Sequence, residues 1–490
     1  MSHQPEQSKL TGIAVILLAI ILGGMAAGMG WGVRGQYGHE TGAMMAGILF
    51  SLVIVFIYGS HLTSLTGARA AALCALGISI GGSMTYAQTV GLTKDAPLIG
   101  NWEALRWGFL GLFIKGGIWI GYGGVLFGMG LSGRRYRPLE LILLLMSALL
   151  IFFFGVWLIN SPFDPENKIL PRIYFSDDWY FEPEEANPRP EVWGGLLLAL
   201  ITLIGYARIA KGDRLALRLG LWAFVAGGIG FTLGQAIQSY HDWNREALEQ
   251  GLLTHLPKNI NWWNFMETGF GVVWGGILAL GVGLNRHLIA LPDDPDDVEI
   301  TPVAEWLLVI LHTGSIIGHE FLVIPRLDAF MSYAITMIII PVTCVMAGRY
   351  WPYLMSLPII AAPIAGKTVR ELCFKQQPPE NNLELWIGIA AYIVLPLVMM
   401  TLLAVLLARR GQHGEGARPF ARWSLLLATW VYFWLNFAFF HFPWPWIPVD
   451  EWTGRTPNGL VFALCAVTLT LATLAYGWRR QPAQDALGSE

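Results

Sequence analysis

Apolar stretches of about twenty residues recur along the whole chain, and they decide what it can become. "TGIAVILLAIILGGMAAGMG" (11–30), "LELILLLMSALLIFFFGVWLI" (139–159) and "YIVLPLVMMTLLAVLLA" (392–408) are three of them. Roughly 20 apolar residues in a helix match the hydrocarbon thickness of a bilayer. The composition agrees: 13% of the 490 residues are charged, against about 25% in soluble domains. In a bilayer every backbone polar group must be satisfied inside the protein, which leaves helices or closed barrels. Runs this long predict helices. The expected fold is therefore all-α, a polytopic membrane protein of about 14 spans within a single membrane domain covering 1–490.

The expected spans are 11–33, 42–58, 70–90, 105–131, 139–160, 192–209, 219–238, 263–285, 303–323, 330–347, 351–366, 386–408, 424–442 and 458–478. The stretch 351–366 is short and carries Pro358 and Pro363, so a broken or re-entrant helix is the alternative there. Positive charge in short loops marks the cytoplasmic side. Four clusters fall on one side of this scheme: Arg134, Arg135 and Arg137; Arg208, Lys211, Arg214 and Arg218; Arg409, Arg410, Arg418 and Arg422; and Arg479 with Arg480. They predict an even span count and both termini in the cytoplasm, in a bacterial inner membrane. The other face carries the acidic, aromatic loop 161–191 and the Trp-rich 441–455. The four cysteines are scattered and form no CxxC pair, so neither a zinc site nor a disulfide framework is expected. No metal or cofactor is expected, and no nucleic-acid partner.

Two segments resemble each other. "NWEALRWGFLGLFIKGGIWIGYG" (101–123) and "NWWNFMETGFGVVWGGILALGVG" (261–283) share Asn-Trp and four glycines at one offset. Upstream, "GGSMTYAQ" (81–88) matches "GGIGFTLGQ" (227–235) with one insertion. The hairpins 81–123 and 227–283 are thus expected to be internal repeats in one orientation. Chance likeness among Gly-rich helices is the alternative. Gly24, Gly28 and Gly32, Gly117 with Gly121, Gly124 with Gly128, and Gly271 with Gly275 recur at every fourth residue, the spacing that lets membrane helices touch closely.

Ionisable residues inside membrane spans are rare and usually functional. Arg34, His39 and Glu40 lie in the short turn between the first two spans, where an ordinary connecting loop is the plain alternative. Glu40-Thr41-Gly42 recurs as Glu267-Thr268-Gly269, and Gly38-His39-Glu40 as Gly318-His319-Glu320. His312 and His319 are two helical turns apart and share a face. Lys115 lies about 15 Å into its span, too deep to reach the interface easily; a Lys–Glu pair is the structural alternative. Arg34, Lys115, Asn101, Trp102, Asn261 and Trp262 are the candidate substrate-binding residues. His39, Glu40, Glu267, His312, His319 and Glu320 are the candidate proton carriers, since histidine titrates near neutrality. Arg34, His39, Glu40, Lys115, His312, His319 and Glu320 are expected to line one cavity.

No Walker loop, HExxH, GxSxG or Rossmann fingerprint occurs. The expected function is secondary active transport, proton-coupled, of a small polar or anionic solute, with a carbohydrate-like ligand among the candidates. Its partners are the lipid bilayer and that solute. The alternative is a membrane-embedded transferase at the extracytoplasmic face, using a lipid-linked or carbohydrate substrate and Asp177 and Asp178 as metal-binding acids. A non-catalytic subunit of a larger membrane complex is the third reading.

Overall fold

A computed structural model describes residues 4–35, 41–176, 188–248, 250, 260–295, 297–320, 322, 324–325, 334–348, 382–439 and 456–478. These are helical, with isolated β-bridges in loops and no strand among them. Eight helices are long and apolar enough to cross a membrane, which is the build of a membrane protein. Helices lie in the described parts of the expected spans, with 70–90 broken; 351–366 and parts of 303–323, 330–347 and 424–442 lie outside the described residues.

One helix organises the rest. In α2 (Thr41–Tyr58) every residue from 42 onward is buried. Its sequence, "TGAMMAGILFSLVIVFIY", is apolar on all sides and so asks for protein or lipid all round. It gets protein. Against it pack α1 (Gln4–Arg34), α3 (Ser64–Gly81) and the later helix Ala417–Phe439, and more lightly α9 (Trp262–Asn285); α5 (Trp102–Leu131) and α8 (Arg214–Trp243) complete the surround, with α4 (Ala87–Lys94) continuing α3 after a break. Contacts run α3–α5–α8–α9–α1, and α15 (Thr456–Trp478) and α14 (Ala417–Phe439) return to α3, closing the ring.

Outside the ring, α6 (Pro138–Ile159) and α7 (Trp193–Gly205) pair, and α7 lies along α5. The helix α10 (Pro302–Glu320) packs on α11 (Ala334–Met346), which packs on α3. A final pair of segments, α12 (Asn382–Ile389) and α13 (Leu395–Gln412), is joined through a π-helical turn, and α13 leans on α14. Exposed Leu143, Leu150, Phe153 and Trp157 give α6 an apolar outer face suited to lipid.

Glycine sets how close the ring helices come. A Cβ on Gly227 of α8 would stand 2.7 Å from the carbonyl carbon of Gly116 on α5. One on Gly117 would stand 2.8 Å from the Phe224 carbonyl oxygen. Between α9 and α1, a Cβ on Gly271 would lie 2.5 Å from the Ala27 carbonyl oxygen and 2.7 Å from Gly28 Cα. Lipid offers no hydrophobic drive for helices to associate, so this backbone-to-backbone dispersion is what holds them.

At the end carrying the basic loops, Arg135 reaches Asp297 and, at 2.6 Å, Glu299. The acidic loop at 292–299 is thus held by a cation. The hydrogen bond from Arg135 keeps the Asp297 carboxyl below its ordinary range. Its stabilising effect is present above the unfolded carboxylate range and fades as pH falls through the lowered value.

Substituting Gly227 with Ala should lower stability by about 1–3 kcal/mol, the usual cost of overpacking. Gly314→Ala, where nothing lies within 4 Å of the added carbon, should be neutral or stabilising. Thermal unfolding of the two purified variants in detergent measures the contrast. Equal melting temperatures would remove Gly227 from the packing account.

Candidate functional site

The expected continuous span 70–90 is broken. The helix α3 stops at Gly81, residues 82–86 are non-helical, and α4 restarts at Ala87. The matching stretch 227–235 continues unbroken inside α8. The sequence "GGSMT" at 81–85 supplies a reason: Gly81 and Gly82 lower helix propensity, and Gly81 lets Trp119 pack closely at this point. Two buried ion pairs flank this break.

The first is Arg34 with Glu267. Their nitrogen and oxygen are 2.8 Å apart, and the side chains are 2% and 3% exposed. Arg34 is the last residue of α1, where the helix dipole favours a cation. Trp31, one turn earlier, lies under the guanidinium at 4.8 Å, and Trp119 of α5 lies 5.2 Å from it. Arg34 also donates to the Tyr86 hydroxyl at 3.2 Å. Glu267 accepts from the Trp263 indole, one turn back on α9, at 3.1 Å. Asn264 donates to the Gly32 carbonyl at 2.5 Å, and Asn458 of α15 donates to Asn264 at 2.8 Å. The end of α1 is thus tied to α9, α5, α15 and the break.

The second pair is Lys115 with Glu191, 2.5 Å apart and both 0% exposed. Lys115 lies thirteen residues into α5, about 20 Å from its start. It also donates to Thr89 of α4 at 2.7 Å. Glu191 accepts from the Phe175 amide at 2.9 Å and from the Ser176 hydroxyl at 2.8 Å. Both ends of the acidic loop are thereby fixed to the bundle: 174–176 on one side, 189–191 on the other. Trp107 donates to the Tyr174 carbonyl at 2.9 Å, and the Tyr174 hydroxyl donates to the Arg189 carbonyl at 2.9 Å.

A cavity of about 240 Å³ lies at the break, lined by 82–88 with Ser176 and Arg189. Each ion pair is one hydrogen bond from its wall. Arg34 reaches it through the Tyr86 hydroxyl, and Glu191 reaches it through the Ser176 hydroxyl. Arg34 and Lys115 themselves do not line it. Neighbouring backbone amides at the start of α4 and these two hydroxyls can bind an anionic or hydroxyl-bearing solute.

The other predicted residues are distributed as follows. Asn101 and Asn261 are helix N-caps with nearly equal backbone angles (φ −84°, ψ 93° and φ −77°, ψ 94°). Their side-chain oxygens accept from Ala104 N and Asn264 N, each at 3.0 Å. Trp102 is exposed and packs edge-on against Trp243, while Trp262 stacks on His241 at 4.1 Å. His312 and His319 are buried on α10, whose packing partner is α11, not the break. The pair shares its buried stripe with Glu305, another heptad back. Neither ring nitrogen of His312 has a hydrogen-bond partner among the described residues. His39, Glu40, Asp177, Asp178 and the Glu320 side chain lie outside the described residues. No group of three or more His, Cys, Asp or Glu suited to a metal occurs among the described residues. Glu191, Tyr86, Thr89, Trp119, Asn264 and Asn458 were not foreseen. Glu191 carries one sequence signal: it is the acid nearest the start of an apolar run.

Removing one partner of a buried pair leaves an uncompensated charge, at about 3–5 kcal/mol, whereas removing both is far milder. Lys115→Met and Glu191→Gln should therefore each lower thermal stability strongly. The double variant should recover much of the loss. Additive losses in the double variant would show that the two groups are not coupled.

No family model, curated protein or solved structure matches this chain, so its function is read from the geometry of this break and its two ion pairs.

Proposed function

We propose that the chain is a secondary active transporter, proton-coupled, for a small polar or anionic solute. The observation that carries this reading is the interrupted helix at 82–86, with a buried ion pair one hydrogen bond away on each side. Discontinuous helices whose freed amides and charges face a cavity are the way transporters build solute sites inside a bilayer. Arg34 and Lys115 supply the positive field of the site. Glu267 carries the coupling proton: protonating it weakens its hold on Arg34 and frees that cation for an anion. The histidine stripe of α10, His312 and His319, with Glu320, His39 and Glu40, supplies the proton route.

The same reading includes about fourteen spans in one membrane domain, both termini in the cytoplasm, and a bacterial inner membrane. The four basic clusters support the orientation. It also includes the hairpins 81–123 and 227–283 as parallel repeats. Support comes from the two Asn-Trp helix starts, which share one cap conformation, and from the antiparallel packing of α5 on α3 and α9 on α8.

The test uses purified protein in liposomes with an imposed pH gradient. Carboxylates, phosphate esters and monosaccharides are offered in turn, while an internal pH dye and labelled uptake are followed. At least one solute should move together with protons. Glu267→Gln should cut gradient-driven uptake roughly tenfold or more, the scale of one lost charge-assisted bond of about 1.5–3 kcal/mol. Conversion of a sugar or lipid-linked donor without flux would overturn transport in favour of a transferase. Reporter fusions after Arg137 and after Arg480 should both signal cytoplasm, and an external signal at either would reverse the orientation.

A further inference from the structure

A second cleft lies at the end of the bundle that carries the basic loops. It measures about 420 Å³ and is lined by Ser132, Arg134, Arg208, Gly212, Asp213, Arg214, Leu215 and Leu288. Three arginines face it against one aspartate. That aspartate is committed elsewhere: Asp213 caps α8 by accepting from Ala216 N at 2.8 Å and takes the Tyr136 hydroxyl at 2.9 Å.

The arginines are not committed. Among the described residues, none of the guanidinium groups of Arg134, Arg208 and Arg214 has an acceptor or a carboxylate partner, although neighbouring cations do. Arg135 holds Asp297 and Glu299, Lys211 holds Glu140 at 2.9 Å, Arg218 donates to Asn285 at 2.8 Å, and Arg286 donates to the Gly283 carbonyl at 2.9 Å. All three are exposed at one cleft, so an anion entering it meets three open guanidiniums. Their planar forks suit the oxygens of a phosphate.

The surroundings are apolar on one side. Along α8, Arg214 begins an exposed stripe that continues through Leu221 and Val225, at 54% and 42% exposure. Leu284, 52% exposed, lies one turn before the lining Leu288, and Ile209 beside Arg208 is 86% exposed. A phosphate in the cleft can therefore carry acyl chains that lie along this stripe. Basic pockets between membrane helices at the headgroup level bind anionic lipids in this way.

We propose that Arg134, Arg208 and Arg214 form a phosphate-binding site that takes the headgroup of an anionic lipid. Inorganic phosphate shares the binding chemistry and lacks the chains, so it separates the two sources.

Native mass spectrometry and thermal unfolding of the detergent-purified full chain test this, with phosphatidylglycerol, phosphatidylcholine and inorganic phosphate added separately. Phosphatidylglycerol should be retained and should raise the melting temperature, and phosphatidylcholine should not. The variant carrying Arg134→Gln, Arg208→Gln and Arg214→Gln should bind phosphatidylglycerol at least about tenfold more weakly, given roughly 1 kcal/mol per basic residue near an anionic surface. Arg137→Gln with Arg409→Gln, which changes arginines outside the cleft, should bind as the parent does. If the triple variant does not fold, Arg208→Gln alone should weaken binding about fivefold on the same scale. Stabilisation by inorganic phosphate as large as by phosphatidylglycerol, lost in the variants, would keep the phosphate site and overturn the lipid as its source. Equal binding of the two lipids with no effect of phosphate, or parent-like binding by the variants, would overturn the site.

Discussion

Everything in this molecule depends on how near two helix backbones can come inside a medium that gives them no hydrophobic reason to meet. Gly116 against Gly227, and Gly271 against Gly28, remove the side chain at the crossing and let main-chain atoms touch. The ring that results is tight enough to enclose α2 completely. It also fixes the crossings from which Arg34, Lys115 and Glu267 project. A looser bundle would leave those charges facing hydrocarbon, where each costs several kcal/mol.

The two ion pairs are best understood as conditional structures. A buried pair is weak evidence for stability, because desolvation offsets attraction unless every remaining hydrogen-bonding position is filled. Glu191 meets that condition with an amine, an amide and a hydroxyl. Arg34 is held differently, by aromatic faces and a phenol alongside its carboxylate. The Glu191 pair is a fastening for the acidic loop. The Arg34 pair is wrapped in polarisable rings, so its cation keeps favourable contacts besides the carboxylate.

Much of the fold was legible because hydropathy over twenty residues reports a local property. The break at 82–86 was not, because an averaged window passes over five residues whose neighbours are apolar. Trp119 packs against Gly81 at the end of that helix and donates to the Ile78 carbonyl, a tertiary fact. The site was legible by half. Arg34 and Lys115 stand out as charges among apolar residues, and Glu267 was reached through its Glu-Thr-Gly triplet. Their pairing was hidden, since nothing local links Lys115 to a glutamate 76 residues away. Asn101 and Asn261 were noticed as a matched pair, and their capping work follows from their place one residue before a helix, which reads equally well as a binding position until the backbone is seen.

The separation between partners has a consequence for how the chain is made. Synthesis runs from the N-terminus, and Arg34 precedes its carboxylate by 233 residues. The helix α1 is therefore made well before Glu267, and α5 well before Glu191. The Arg34–Glu267 pair needs α9, and the Lys115–Glu191 pair needs the end of the acidic loop. Neither buried pair can therefore be complete until long after its cation has been made.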